Sequence, residues 1–65
     1  MKVIKISVVL KALKDDGWFL VHQVGSHRQF KHPTKKGKTT VNGKPSGDAT
    51  AFLLKSIENQ SGLFF

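Results

Sequence analysis

The chain has 65 residues, no cysteine, and 11 basic against 4 acidic residues, for a formal net charge of +7. That length allows one domain, spanning 1–65, which buries only about 60% of its unfolded surface. The missing thiols exclude disulfide staples and thiolate metal sites, which fits a reducing cytoplasm. No membrane is expected as a partner, since Val8-Val9-Leu10 and similar runs fall far short of the roughly 20 apolar residues that span a bilayer. Met1 to Ile6 has lysines but no apolar core of a secretory leader.

Met1 to Ile6 alternates and reads as a short strand or a lead-in. Ser7 is a candidate cap for a first helix over Ser7 to Asp16, because its hydroxyl can accept from an unpaired N–H. Ile6, Val9, Leu10 and Leu13 recur at helical spacing. Gly17 suits the left-handed position that ends a helix. Trp18 to Val24 is rich in aromatic and β-branched residues and predicts a first long strand. Gly25-Ser26 is the turn, His27 to His32 the second strand, and Pro33 its end. Thr34-Lys35-Lys36-Gly37 predicts a hairpin turn into a third strand, Lys38 to Val41. Asn42 to Gly47 is a loop. Asp48 to Ser61 predicts a second helix, with Leu53, Leu54 and Ile57 on one face and Gly62 as its stop. Leu13, Leu20, Leu54, Ile57 and Trp18 are core candidates. The order α-β-β-β-α predicts an α+β fold. Three antiparallel strands are covered on one face by two helices, and the other face meets water.

Charge is concentrated. From Gly25 to Lys44 there are six lysines and arginines and no acid, a block that attracts polyanions in a salt-dependent way. Within it, "GSHRQFKH" sets His27 and His32 around a short basic strand. This segment, with Gly17-Trp18 upstream and Gly43-Lys44-Pro45-Ser46 downstream, resembles the HicA toxins, the mRNA-cleaving members of HicA–HicB toxin–antitoxin pairs. The likeness runs without a gap from about Ser7 to Asp48 and more weakly to Leu63. It implies a double-stranded-RNA-binding-domain-like fold and a small ribonuclease with His27 as its catalytic residue. It also implies RNA as substrate and a HicB-like antitoxin as partner. The chain departs from the family's usual pattern at His22, where arginine is common. It departs again at Phe52-Leu53, where Gly-Thr opens the second helix, and at Glu58, a core leucine position.

Cleavage of RNA by its own 2′-OH needs a base, an acid for the leaving 5′-oxygen, and positive charge on the phosphorane. Histidine can serve in either protonation state near neutrality, and lysine and arginine supply the charge. Few acids are present to hold a metal, so metal-independent chemistry is expected, with no cofactor. By strand parity, Gln29 and Lys31 share a face with His27, and Arg28 and Phe30 take the other. Lys31 then contacts phosphate and Gln29 a sugar or base, with Ser26 in the adjoining turn and Arg28 reaching RNA only at the sheet edge. Lys35, Lys36 and Lys38 read equally as phosphate-steering groups or as a solvated turn. The odd offset from His27 to His32 argues against an acid–base pair. The same parity argues against a zinc site from His22, His27 and His32 unless the turn breaks the count, and it leaves the second proton-transfer group open. The rival readings are an RNA-binding module that does not cut, or a basic face built chiefly to dock an acidic antitoxin.

Overall fold

The computed structural model describes residues 3–65, so Met1 and Lys2 of the lead-in lie outside the described residues. Seven elements follow in order: β1 (Ile4–Lys5), α1 (Ile6–Asp15), β2 (Phe19–Val24), β3 (His27–Lys31), β4 (Lys38–Val41), β5 (Asp48–Ala49) and α2 (Ala51–Ser61). The expected α-β-β-β-α order is present, with β2-β3-β4 as an antiparallel sheet. Two short strands, β1 and β5, are added to it and pair antiparallel, Ile4 with Ala49 and Lys5 with Asp48. Among the described residues no helix is long and apolar enough to cross a membrane.

The helices start where backbone partners are available. The first helix begins at Ile6, and its cap position, Lys5, makes no side-chain capping bond. The expected serine cap is therefore absent. Instead the Ile6 and Ser7 N–H groups donate to the carbonyls of Gly47 and Pro45 at 2.9 and 3.0 Å. The 42–47 loop thus satisfies donors that a capping side chain would otherwise serve. The second helix begins three residues later than expected, because Asp48-Ala49 is drawn into the pair with β1. Its cap is Thr50, whose hydroxyl accepts from the Leu53 N–H at 3.3 Å. Gly17 ends α1 with φ +104°. Trp18 N–H reaches the Leu13 carbonyl and Gly17 N–H that of Lys14, the double closure that a left-handed residue after a helix permits.

One apolar cluster joins the helices to the sheet. Ile6, Val9 and Leu13 of α1 meet Leu54 and Ile57 of α2 over Phe30 and Val41, with Trp18 at the end of the stack. Each such side chain, fully buried, contributes about 1.5–3 kcal/mol, which outweighs anything the exposed ion pairs supply. Both helices lie on the Phe30 face. They cover the β3–β4 half of the sheet, and the Thr40 N–H on the outer side of β4 donates to Gln60 Oε1 of α2 at 3.0 Å.

The β2 half is left bare. All six of its residues are exposed, including Leu20 at 48%, which corrects its expected place in the core. Thr39 is fully buried, and its hydroxyl has no hydrogen-bond partner. A buried hydroxyl without a partner costs desolvation free energy with no return. Thr39→Val is therefore expected to raise stability by about 1 kcal/mol, read as a higher urea midpoint with unchanged slope.

Candidate functional site

The face of the sheet turned away from the helices is built by one turn and one bulge. Gly25-Ser26 closes the β2–β3 hairpin in two residues, pairing Val24 with His27. Gly25 has φ +59°, and a Cβ there would meet nothing within 4 Å. The backbone angle, and not crowding, is what calls for glycine in the first turn position. Directly paired residues share a face, so the turn does break the parity count. A shift in register between Leu20 and His22 then pairs His22 with Gln29.

His22, Val24, His27, Gln29 and Lys31 consequently lie on one side. They are joined across β4 by Thr40 opposite Gln29 and Lys38 opposite Lys31. His22 and His27 are diagonal neighbours, a relation that sets backbones about 7–8 Å apart and brings long side chains within reach. Both are exposed, as are Lys31 and Lys38. Two ammonium groups directly opposite on adjacent strands repel each other, and an anion between them removes that cost.

No carboxylate answers this charge. The four acids of the chain are engaged elsewhere. Asp15 pairs with Lys11, Asp16 with Lys35 and Asp48 with Lys5, and Glu58 accepts the Phe65 N–H at 2.8 Å. That last bond ties the terminal segment back to α2, with Leu63 and Phe65 against the core. Among the described residues no three His, Asp or Glu side chains converge as a metal site.

Two other expected site residues, Arg28 and Lys35, have internal partners, as does His32 at the end of the strand. Arg28 lies on the Phe30 side, as its parity required, and reaches the sheet edge. One guanidinium nitrogen donates to the Gly43 carbonyl at 2.8 Å and the Ser26 carbonyl at 3.3 Å. It pins the hairpin turn to the 42–47 loop, with the Ser26 side chain left exposed in that turn. Lys35 donates to Asp16 Oδ2 at 2.6 Å and to the Ser61 carbonyl at 3.1 Å, so it joins the ends of both helices. Lys36, beside it, is exposed and makes no ion pair among the described residues. His32 falls just beyond β3 and not in it. Its Nε2–H donates to the Asp16 carbonyl at 2.6 Å. Its Nδ1 accepts from the Thr34 and Lys35 N–H groups, both at 3.1 Å, and its ring sits edge-on to Trp18.

Asp16 is the hub of this junction. Its carboxylate accepts from Lys35 and from the Trp18 indole N–H at 3.1 Å. The Lys35 hydrogen bond, opposed by partial desolvation, holds its carboxyl below the ordinary 3.8 of an aspartate. A carboxyl lowered in the folded state adds stability that is fully present above the unfolded value and is lost as pH falls through the folded one. The urea midpoint is therefore expected to drop as pH falls below the ordinary aspartate range, and Asp16→Asn to flatten that segment of the profile.

Sequence reasoning missed His22 as a neighbour of His27. The two-residue turn was the available signal, because it forces Val24 and His27 onto one face.

Compared with known proteins, residues 6–63 match the model of the family described as HicA toxin of bacterial toxin-antitoxin. No curated protein matches the chain.

Proposed function

Because this chain belongs to the HicA toxin family of bacterial toxin–antitoxin systems, we propose that it is a metal-independent endoribonuclease that cleaves mRNA in the cytoplasm. The observation that carries the reading is the array of His22, His27, Gln29, Lys31 and Lys38 on one exposed, acid-free sheet face. RNA lies across it with a phosphate near the opposed lysines. One of His27 and His22 takes the proton from the ribose 2′-OH as that oxygen attacks phosphorus. The other gives a proton to the departing 5′-oxygen. The products are a 2′,3′-cyclic phosphate and a 5′-hydroxyl, and the imidazoles exchange roles of protonation through water afterwards. Lys31 and Lys38 stabilise the phosphorane charge, a role whose value grows as solvent is excluded. Gln29, between the histidines and Lys31, is placed to hold a sugar hydroxyl or base edge. Ser26 and Lys36 extend the contact to flanking phosphates, and Arg28 and Lys35 hold the scaffold.

The test is RNA cleavage in the presence of a chelator as a function of pH. The native chain is expected to give a bell-shaped kcat/KM profile, since one imidazole must be neutral and the other charged. His22→Ala is expected to lose one limb and about 10²–10⁴-fold in rate. A profile unchanged by His22→Ala would remove it from the chemistry. Dependence on added divalent cation would remove the metal-free mechanism.

The lysine pair makes a separate prediction. Lys31→Ala is expected to weaken RNA binding for all sequences alike and to reduce the salt slope by about 1, as measured by fluorescence anisotropy at several ionic strengths.

A further inference from the structure

The sheet has a second unpartnered surface, distinct from the histidine face. β2 is an edge strand, paired only with β3. Its sequence, Phe19 to Val24, contains no charge at neutral imidazole, no proline and no glycine. Phe19, Leu20, Val21 and Val24 are exposed at 49, 48, 44 and 63%. Proteins usually blunt such an edge with lysine, proline or a covering element, because its free N–H and C=O groups template pairing with another chain. Here the opposite edge, on β4, is met by Gln60 of α2, whereas the β2 edge carries only the bulge between Leu20 and His22 and no covering strand. Beside it, on the helix side, opens a cleft of about 330 Å³. Leu10, Trp18, Leu20 and Phe30 form its apolar walls, and Lys14 and Arg28 are its charged members.

We propose that β2 and this cleft receive an extended, acidic segment of a partner protein, which adds a fourth strand to the sheet. The backbone ladder gives affinity, and alternate side chains of the added strand give specificity. An apolar side chain on the helix side enters the cleft, and carboxylates meet Lys14 and Arg28. Acidity follows from the host: no carboxylate occurs between Gly17 and Gly47, and the chain carries +7 overall. That charge opposes a second copy of this chain at the same edge. Nucleic acid lacks the peptide groups that would complete the ladder and the aliphatic groups that would fill the cleft. A strand added here lies about 4.8 Å from β2, so its outward side chains flank His22 and restrict access to the histidine face. The proposal rests on the partnership that a toxin–antitoxin toxin implies, and not on the ribonuclease reading.

The probe is a short synthetic peptide in which every second residue is threonine and the residues between are glutamate and leucine in turn, so that one strand face carries both. It is titrated into the isotope-labelled native chain and followed by amide shifts and hydrogen exchange. The expected result is slowed exchange confined to Phe19–Val24 and shifts at the cleft. The same peptide with lysine in place of glutamate should not bind. Leu20→Asp should weaken binding by about tenfold or more, and Phe52→Asp, at a more exposed apolar site elsewhere, should not. If Leu20→Asp unfolds the chain, Leu20→Ser gives the same reading with less disturbance. Three results would overturn the proposal: no protection of β2 amides by the acidic peptide, protection that appears with rising protein concentration alone, or protection by RNA but not by peptide. None of these readouts depends on cleavage, so loss of the nuclease reading leaves the outcome interpretable.

Discussion

His27→Ala is expected to reduce RNA cleavage by about 10²–10⁴-fold while leaving both the fold and RNA affinity in place. The side chain is exposed in the first position of β3 and has no hydrogen-bond partner among the described residues. Its removal opens no cavity, and surface changes of that kind shift stability by about 0.5 kcal/mol or less. RNA affinity should persist because the opposed Lys31 and Lys38 ammonium groups remain. The double variant His22→Ala/His27→Ala sharpens the reading. Two groups that move protons in one step act as a unit, so removing both should cost about as much as removing one. Losses that multiply would mean two independent roles. A native chain that binds RNA and never cuts it would leave the lysine face as a binding surface, and the histidines as residues of a toxin whose chemistry has been lost.

Local pattern made most of the elements legible. The Gly25-Ser26 turn, β4 and the end of α2 fall where propensity and turn chemistry put them, because each is decided by a few adjacent residues. Errors arose where a distant backbone competes. Ser7 looked like a cap, but Pro45 and Gly47 supply the carbonyls. Asp48-Ala49 looked helical, but Ile4-Lys5 offers it a strand partner. Leu20 looked buried because leucine in a strand usually is, but neither helix reaches over β2. The site shows the same division. His27, Gln29 and Lys31 were correctly grouped, since one regular strand fixes their parity. His22 was not, because simple counting does not cross a hairpin turn. Among the lysines, charge alone could not separate Lys35 from Lys38. Asp16 and the Ser61 carbonyl, which hold Lys35, are 19 and 26 residues away.

Gly17→Ala is expected to cost about 2–4 kcal/mol, a large part of the roughly 3–10 kcal/mol that a chain of this length holds. Two separable effects add. At φ +104° any L side chain is strained, by about 1–2 kcal/mol. In addition, a Cβ at Gly17 would stand 2.9 Å from His32 Nε2, well inside normal contact. The imidazole has little room to retreat. Its Nε2–H is held by the Asp16 carbonyl, its Nδ1 by two backbone N–H groups, and its edge by Trp18. Moving it surrenders the half-buried hydrogen bond to the Asp16 carbonyl and the two to the exposed Thr34 and Lys35 N–H groups, at about 1–2 kcal/mol.

A double-mutant cycle separates the two effects. His32→Ala removes the ring, so Gly17→Ala in that background should carry only the backbone strain. The double variant should then be more stable than the sum of the single losses predicts. Strict additivity would show that the ring yields freely and that the glycine serves the helix stop alone. The cycle also bears on the histidine face. His32 directly follows Lys31, so a displaced ring should disturb the Lys31–Lys38 pair and weaken RNA binding in Gly17→Ala, under conditions where that variant remains folded.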